Sequence, residues 1–248
     1  MATSEPLRRP TAVPKKGPAA EEFGHTVVYQ NEVLRHSVHT RLVHWGVALF
    51  FMLALLSGFA LFTPWLYAWL SPLFGSGART RLLHPWFGLG FVIFMLFQLR
   101  GWLNDMRWKP SDRLWLQRIR AYITHADETE PDYVEKFNAG QKMWFWTMVA
   151  SGAIFLITGI PLWFPEYLGR TLMWICYFFH DLTGLIMLGG FFIHIYEGTA
   201  ALPGTFHSMI RGTVTRAWAW THHPGWYRQV TGRDPKADLE QAKRSRER

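Results

Sequence analysis

The sequence predicts an all-α integral membrane protein, a four-helix bundle with both termini in the cytoplasm. Four apolar blocks support this prediction: Val43–Phe62, Leu82–Leu99, Met143–Phe164 and Thr171–Tyr196. Each block has roughly 18 residues or more, which is long enough to cross a hydrocarbon core of about 30 Å as a helix. The fourteen Trp residues agree with a membrane location, because Trp concentrates at membrane–water interfaces.

Each block has boundaries that a membrane helix is expected to have. The N-terminal boundaries are all basic: Arg41, Arg81, Lys142 and Arg170. The C-terminal boundaries are charged residues or prolines: Pro64, Arg100, Pro165 and Glu197. Charged side chains avoid the hydrocarbon core and proline interrupts a helix, so both kinds of boundary limit the spans.

All but three of the 26 Lys and Arg residues lie in the N-terminal arm, in the long segment between the second and third blocks, and in the C-terminal tail. Four crossings place these three segments on one side of the membrane, and basic segments stay in the cytoplasm. Excess charge in the tail can also contact anionic membrane lipid. The net charge of +8 therefore reports topology. No basic patch with a recognisable binding fold accompanies it, and we expect no nucleic-acid partner.

The segments outside the spans differ in composition. Residues 1–35 are rich in Pro, Ala and charge, and we predict a disordered cytoplasmic arm. They do not resemble a cleaved signal peptide, because no apolar run begins before Val43. Residues 36–200 are predicted to form the transmembrane domain, and residues 201–248 a basic cytoplasmic tail.

The middle segment is amphipathic. We predict that Trp108–Tyr122 lies along the membrane interface as a helix, with its apolar side chains facing lipid. These side chains are Trp115, Leu116 and Ile119.

The single cysteine, Cys176, excludes several chemistries. One cysteine cannot form an internal disulfide, ligate an iron–sulfur cluster with thiolates alone, or attach a c-type haem through a C-x-x-C-H motif. We interpret Cys176 as a packing residue.

Four of the eleven histidines lie inside the predicted spans: His44, His84, His180 and His194. The predicted topology fixes their depths, with His44 and His194 near the cytoplasmic face and His84 and His180 near the outer face. The four histidines therefore form two pairs, and each pair comes from two different helices at one depth.

The fourth block carries one member of each pair. His180 and His194 are fourteen residues apart, which on an α-helix is a rise of about 21 Å and a rotation about 40° short of four full turns. Both imidazoles thus lie near one face of the helix, one towards each membrane surface. This geometry suits two metal centres stacked across a bilayer.

Paired imidazoles in an apolar sleeve are suitable ligands for a non-covalent b-type haem. Four intramembrane histidines that pair in depth favour two haems over isolated buried histidines bonded to carbonyls. Non-haem iron or copper is less favoured, because a carboxylate-rich or three-histidine cluster is missing. Gly88, Gly184 and Gly190 lie one turn from three of the histidines, where they would admit a porphyrin edge or only allow close helix packing.

The run Asn138–Lys142 precedes the third block at the depth of the cytoplasmic histidine pair. The Asn138 amide and the backbone N–H groups near Gly140 are polar groups that can hydrogen-bond the carbonyl of a bound molecule. A helix start explains the same residues, because Asn138 is a good N-cap and Gln141 lies at capping-box spacing. The two roles are compatible.

Several short segments together resemble a known family. The most specific are Asn138-Ala-Gly-Gln-Lys142 and His222-His-Pro-Gly-Trp-Tyr-Arg228. The others surround the histidines: Val43-His-Trp45, Arg81-Leu-Leu-His-Pro-Trp-Phe-Gly88, His180 with Gly184, and Ile193-His-Ile-Tyr196. In these segments, and over most of the chain, the sequence resembles the membrane cytochrome b (gamma) subunit of respiratory formate dehydrogenase.

The resemblance implies an electron-transport subunit of the bacterial inner membrane with two haem b groups, one ligated by each histidine pair. It implies a quinone site near the cytoplasmic haem that uses Asn138 and Gly140. Electrons would arrive from an outer-side iron–sulfur subunit, itself joined to the catalytic molybdenum or tungsten formate dehydrogenase subunit. They would pass from the outer haem to the cytoplasmic haem and then to quinone, so this chain would not itself oxidise formate. Protons taken from the cytoplasm would then build a membrane potential.

Three alternatives stay open on the sequence alone. The cytochrome b of a hydrogenase or thiosulfate-reductase-type complex is disfavoured by the missing fifth helix and by the Asn138–Lys142 run. A haem-free membrane anchor would only dock an enzyme. A transporter would need unwound helices and polar lining residues, of which Asp181 is the only one found. Asp181 and Glu197 depart from the family pattern; Glu197 either serves proton uptake or ends the helix.

Overall fold

The computed structural model describes residues 32–124 and 129–246. Its α-helices and β-strands are β1 (Glu32–Leu34), α1 (Val38–Phe62), α2 (Pro64–Leu70), α3 (Gly77–Trp102), α4 (Pro110–Gln117), α5 (Ile119–Ile123), α6 (Ala139–Trp163), α7 (Arg170–Tyr196), α8 (Thr205–Ile210), β2 (Thr213–Thr215), α9 (Arg216–His222), α10 (Pro224–Thr231) and α11 (Pro235–Arg246). Short 3-10 turns lie at Ser71–Phe74 and Pro165–Tyr167, and a π-helical turn at Glu197–Ala201 follows α7. The arm predicted for residues 1–35 lies outside the described residues up to residue 31, and residues 32–34 form β1.

The chain divides into two compact units. The membrane unit consists of Val38–Trp108 and Ala139–Pro203. Within the described residues, the extramembrane unit consists of residues 32–37, 109–124, 129–138 and 204–246. The predicted division at residues 35 and 200 stays a prediction.

Four helices of the membrane unit, α1, α3, α6 and α7, are long and apolar enough to cross a membrane. They contain 25 to 27 residues, a rise of about 40 Å that matches a bilayer with its headgroup regions. Three of them enclose the predicted blocks, while α6 ends one residue early, at Trp163. The predicted all-α fold with four membrane helices is confirmed; one two-stranded sheet is added to it in the described part of the chain.

Capping residues shape the connection between α1 and α3. Thr63 precedes α2 in extended conformation, and its hydroxyl accepts a hydrogen bond from the Trp65 N–H, while Pro64 takes the first helical position. Gly75 follows the 3-10 turn Ser71–Phe74 with a φ of 91°, which favours glycine. Ser76 then caps α3 by accepting from the Arg79 N–H. A capped connection that contains α2 and a 3-10 turn therefore brings α3 back against α1.

Helix α1 packs on α3, α3 on α6, and α6 on α7. The buried centre of the membrane unit is apolar and consists of Val47, Phe51, Phe91, Met95 and Met187. Phe51 lies 5.8 Å from Phe91 and 5.4 Å from Phe191 between ring centroids. Large side chains from three different helices thus fill the middle of the unit.

The extramembrane unit has its own core around the two strands. β1 pairs antiparallel with β2, so that Val33 lies opposite Val214. Helices α9 and α10 complete the core with their aromatic side chains. The buried members are Val33, Val214, Trp218, Ala219, Trp226 and Tyr227. The segment before the first membrane helix and the segment after the fourth are therefore parts of one folded unit.

A buried arginine joins three segments of this unit. Arg35, only 6 % exposed, donates to the Lys136 carbonyl at 2.6 Å and approaches His223 Nε2 at 3.1 Å. Its guanidinium lies 4.8 Å from the Trp218 ring and 5.0 Å from the Trp226 ring, distances that favour a cation–π interaction. The charge is thus held by hydrogen bonds and by aromatic faces.

His223 is held in its neutral form. It is 1 % exposed, its Nδ1 lies 2.7 Å from the Glu135 carbonyl, and its Nε2 faces the Arg35 guanidinium. Nδ1 is therefore the donor and Nε2 the acceptor. Burial, and then the neighbouring Arg35 charge, lower the pKa of His223 well below its usual 6.5.

Replacing His223 by alanine is expected to loosen the extramembrane unit. Arg35 loses the imidazole as one of its acceptors, and the Glu135 carbonyl loses the imidazole as a donor, at a cost of about 2–3 kcal/mol in local opening free energy. Hydrogen exchange of the β1 and β2 amides measures this loss. His207→Ala, an exposed histidine of the same unit, is the control and should leave exchange unchanged.

The same histidine gives the unit a pH dependence. Because its folded pKa is lowered, its contribution to stability is complete above about 6.5 and is lost as pH falls towards the folded pKa. Corrected for intrinsic rates, β1 and β2 exchange should accelerate between pH 7.5 and pH 5.5 in the wild type and much less in His223→Ala. Equal acceleration in both proteins would contradict this assignment.

The prediction for the middle segment is wrong about Trp115. The segment forms two helices, α4 and α5, and Trp115 is 3 % exposed within the extramembrane unit. Its indole N–H donates to Glu130 at 3.1 Å, and its ring lies 4.9 Å from Tyr122. The apolar periodicity of this segment therefore marks side chains that pack on protein at Trp115, and not side chains that face lipid.

Candidate functional site

Two of the four intramembrane histidines meet near one end of the bundle. His84 on α3 and His180 on α7 have ring centroids 6.2 Å apart and an interplanar angle of 69°. The Ser57 hydroxyl of α1 lies 2.9 Å from His84 Nδ1, and the Thr158 hydroxyl of α6 lies 2.9 Å from His180 Nδ1. All four membrane helices thus contribute to this pair.

The other two histidines meet at the opposite end of the same helices. His44 on α1 and His194 on α7 also have ring centroids 6.2 Å apart, with an interplanar angle of 51°. Trp144 of α6 stacks on His194 at 5.9 Å and 24°, and Trp45 meets His44 edge-on at 5.5 Å. The Nδ1 atom of His44 is buried and has no hydrogen-bond partner among residues 32–124 and 129–246.

An apolar layer separates the two pairs. Met187 lies on α7 seven residues from each of its histidines, and it is 1 % exposed. Seven residues are about two helical turns, so Met187 lies midway between the pairs. Met187 belongs to the same buried cluster as Phe51 and Phe91. The structure therefore holds two distinct sites with a packed hydrocarbon centre between them.

The separation within each pair fits one iron between two imidazoles. An imidazole nitrogen bonds a first-row metal at about 2.0 Å, with the ring centroid about 1.2 Å behind it, so opposed ligands have centroids about 6.4 Å apart. The observed 6.2 Å is close to this value at both pairs. Within the described residues no group of three or more His, Cys, Asp or Glu could hold a metal ion. Each pair would thus offer two imidazoles to a haem iron, a ligand set that suits a non-covalent b-type haem.

Glycines next to the histidines differ in what surrounds them. A Cβ added at Gly88 or Gly184 would meet no atom within 4 Å, so no neighbouring side chain explains the small size of these two residues. A Cβ at Gly190 would lie 2.1 Å from the Trp144 ring. Gly190 therefore serves helix packing at this position, which was the alternative explanation of its small size.

The predicted quinone residues lie where α6 begins. Asn138, 5 % exposed, directly precedes the helix, and Gly140 is its second residue. Trp144, one turn after Gly140, stacks on His194. The first turn of α6 thus lies close to the His44–His194 pair. Asp181 follows His180 on α7 and is half-buried.

Two residues of the site were not predicted from the sequence. Ser57 and Thr158 are buried hydroxyls inside apolar spans, and both contact a histidine Nδ1. A signal for them exists in retrospect, since each is followed by a glycine that faces the same imidazole. Only the packing of neighbouring helices shows which histidine each hydroxyl contacts.

Four apolar helices that carry two facing histidine pairs define a membrane cytochrome with a role in electron transfer. The model of one family, prokaryotic cytochrome b561, matches residues 35–212. This chain belongs to the prokaryotic cytochrome b561 family. Membership implies haem b, and with the four apolar helices it makes the chain a multi-pass protein of the bacterial inner membrane.

Curated relatives agree with this family and confirm the resemblance seen in the sequence. The chain is 32% identical over 212 residues to the cytochrome b556(Fdn) subunit of the nitrate-inducible formate dehydrogenase of Escherichia coli K12, covering 84% of this chain and 96% of the relative. It is 30% identical over 201 residues to the formate dehydrogenase cytochrome b556 subunit of Haemophilus influenzae, covering 79% and 83%. It is also 30% identical over 207 residues to the cytochrome b556(fdo) subunit of Escherichia coli K12, covering 81% and 94%.

Proposed function

We propose that this chain is the membrane cytochrome b subunit of a formate dehydrogenase complex, and that it carries electrons across the membrane through two b haems to quinone. The observation that supports this most strongly is the pair of facing histidines, with the same 6.2 Å separation, at each of two levels of one bundle. Haem b supplies reversible one-electron chemistry at iron when it is bound. The chain supplies the ligands, the apolar surroundings and the distance between the two sites.

The ligand assignment follows the geometry of each pair. His84 and His180 would hold one haem, and His44 and His194 the other. At the first pair the hydroxyls of Ser57 and Thr158 occupy the Nδ1 side of each ring. The Nε2 atoms are then the nitrogens available to iron.

The composition of the extramembrane unit supports a topology with both termini in the cytoplasm. This unit contains the segments before α1, between α3 and α6, and after α7. Segments that fold into one unit lie on one side of a membrane, and these are also the basic segments. The His84–His180 pair would then lie at the outer level, and the His44–His194 pair at the cytoplasmic level.

The partners we propose follow from the relatives, each of which is a subunit of a formate dehydrogenase. An outer-side iron–sulfur subunit would donate electrons, and a molybdenum or tungsten subunit would oxidise formate. This chain has a single cysteine, which is buried, so four-cysteine clusters must come from other chains.

Purification of the complex with its associated subunits tests this function. We expect two haem b per copy of this chain, with an α-band that formate reduces and quinone reoxidises. One haem per chain, or none, would contradict the two-site assignment. Associated hydrogenase or thiosulfate-reductase subunits would instead identify the alternative complex.

The quinone site would lie at the start of α6, next to the cytoplasmic histidine pair. The Asn138 amide and the Gly140 N–H are the polar groups that we assign to the quinone carbonyl. The position of Gly140, one turn before the Trp144 ring that stacks on His194, supports this assignment. Electrons at the cytoplasmic site would then have a short path to the quinone.

Replacing Asn138 by alanine should slow quinone reduction about tenfold, because one hydrogen bond worth about 1.4 kcal/mol is lost. Both haem spectra should stay unchanged. Asn138→Ser keeps a side chain that can cap the helix but lacks the amide donor. It should therefore slow quinone reduction as Asn138→Ala does if the amide binds quinone, and leave the rate unchanged if Asn138 only starts the helix. Asn104→Ala, at an exposed asparagine of the membrane unit, is the control. Full activity in Asn138→Ala would refute the quinone role.

A further inference from the structure

The two histidine pairs differ on the Nδ1 side of their rings. Both members of the His84–His180 pair have a hydroxyl oxygen 2.9 Å from Nδ1. Ser57 is fully buried and Thr158 is 6 % exposed. Each hydroxyl comes from the helix that packs beside its histidine, so the contact is part of the bundle.

The direction of these hydrogen bonds follows from the other contacts of the hydroxyls. Ser57 Oγ donates its hydrogen to the main-chain carbonyl of Leu53 at 2.7 Å, the nearer of two carbonyls; that of Ala54 lies 3.1 Å away. Thr158 Oγ1 donates to the Ile154 carbonyl at 2.7 Å. A hydroxyl has one hydrogen and two lone pairs. With its hydrogen committed to the carbonyl, it accepts from the imidazole, and this fixes the tautomer with hydrogen on Nδ1.

A glycine accompanies each hydroxyl and completes the support of the ring. A Cβ at Gly58 would lie 3.2 Å from His84 Cε1, and a Cβ at Gly159 would lie 3.5 Å from His180 Cε1. The pairs Ser57–Gly58 and Thr158–Gly159 thus make the same two contacts with their histidines. In each, the hydroxyl binds the ring nitrogen while the glycine leaves room for the ring edge.

The His44–His194 pair has a different environment. His44 Nδ1 is buried without a hydrogen-bond partner in the described part of the chain. His194 is instead stacked against the Trp144 ring. The difference between the pairs therefore lies at Nδ1: both rings of the outer pair have a hydroxyl acceptor there, whereas His44 of the cytoplasmic pair has none in the described residues.

We propose that Ser57 and Thr158 are positioning residues that lower the reduction potential of the haem at the His84–His180 site below that of the haem at the His44–His194 site. This inference rests on the proposed function. An acceptor on Nδ1–H makes the imidazole a stronger donor to iron, and a stronger donor favours the ferric state. The cytoplasmic pair lacks such an acceptor on His44. An electron is then more stable at the cytoplasmic site, next to the quinone.

Redox titration of the purified complex tests this proposal with Ser57→Ala and Thr158→Val. Each change should shift the ferric–ferrous equilibrium of the outer haem towards ferrous by up to about tenfold. For a one-electron couple this is a rise in midpoint potential of about 59 mV. The midpoint of the other haem should not move. His84→Ala should lose the outer haem, so the component of the wild-type titration that is missing from this variant belongs to the outer haem.

Matched variants separate this effect from general loosening of the bundle. Ser57→Thr and Thr158→Ser keep the acceptor and should titrate like the wild type. Ser151→Ala removes another buried hydroxyl of α6 and should also leave both midpoints in place. Equal shifts of both midpoints in Ser57→Ala would overturn the proposal, and so would unchanged midpoints.

Ser57→Ala and Thr158→Val could lose the outer haem altogether, and the proposal is then decided by two other measurements. Retention of that haem in Ser57→Thr and Thr158→Ser would support the positioning role. The order of the two wild-type midpoints would then test the effect on potential, and a higher midpoint at the outer site would overturn it. The proposed function itself fails separately, when the wild-type complex contains fewer than two b haems.

Discussion

Replacing His84 by alanine is expected to lower the haem content from two per chain to one. Alanine offers no nitrogen to iron, so the His84–His180 site retains one of its two proposed ligands. The remaining ring, His180, keeps its contacts with Thr158 and with Phe155, whose centroid lies 5.1 Å away. The site would lose one of its two iron–nitrogen bonds, so it should bind a non-covalent b haem much more weakly, and we expect the outer site to empty.

The cytoplasmic haem should remain in the same variant. Fourteen residues, or about 21 Å of helix, separate the two levels along α7, and Met187 fills the space between them. Sites that far apart with no shared partner respond independently to mutation. The residual reduced-minus-oxidised spectrum should therefore be that of a single, unperturbed haem b.

Four single variants make the pairing itself testable. His84→Ala and His180→Ala should leave the same residual spectrum, while His44→Ala and His194→Ala should leave the complementary one. His39→Ala, at an exposed histidine of α1, should keep both haems. Pigment measurement on purified complexes gives the haem count, and subunit stoichiometry confirms assembly. Retention of both haems in His84→Ala would contradict the assignment, as would a residual spectrum that differs between His84→Ala and His180→Ala.

Replacing His44 by alanine is expected to abolish quinone reduction while formate still reduces the remaining haem. His44 and His194 are the proposed ligands of the cytoplasmic site, and the proposed quinone groups lie beside that site at the start of α6. Without that haem, electrons that reach the outer site lack a carrier next to the quinone. The expected phenotype is a loss of at least about a hundredfold in quinone reduction, or about 2.7 kcal/mol in barrier height.

Two measurements on His44→Ala decide this prediction. Stopped-flow reduction by formate should still show one b-type α-band, and addition of quinone should not reoxidise it at the wild-type rate. His39→Ala, five residues earlier in α1, controls for disturbance of the helix. Wild-type quinone reduction by His44→Ala would place the quinone elsewhere or remove the cytoplasmic haem from the path.

The sequence predicted the four helices and the pairing of the histidines for the same physical reason. A hydrocarbon core sets a minimum apolar length, and the charge bias sets the direction of each helix. Together they fix the depth of every intramembrane residue. His44 with His194, and His84 with His180, could be matched in this way without coordinates, and the structure brings both pairs together. Their role as ligands stays a proposal.

The same reasoning failed for Trp115 because apolar periodicity does not identify the partner surface. A lipid-facing side chain and one packed on protein give the same pattern along a helix. The partner of Trp115 is Glu130, fifteen residues away. Gly190 shows a related limit: its small size suits a cofactor edge or a bulky neighbour, and Trp144 is the bulky neighbour.

The sequence by itself determined the membrane class and the number of spans, and it predicted which histidines share a depth, because each depends on composition along single helices. Only the tertiary structure decided what lies beside each ring. Ser57 and Thr158 contact their histidines across helix interfaces, and Arg35 reaches His223 across most of the chain length. Such contacts depend on the rotation of one helix against another or on the docking of distant segments, which no local pattern encodes.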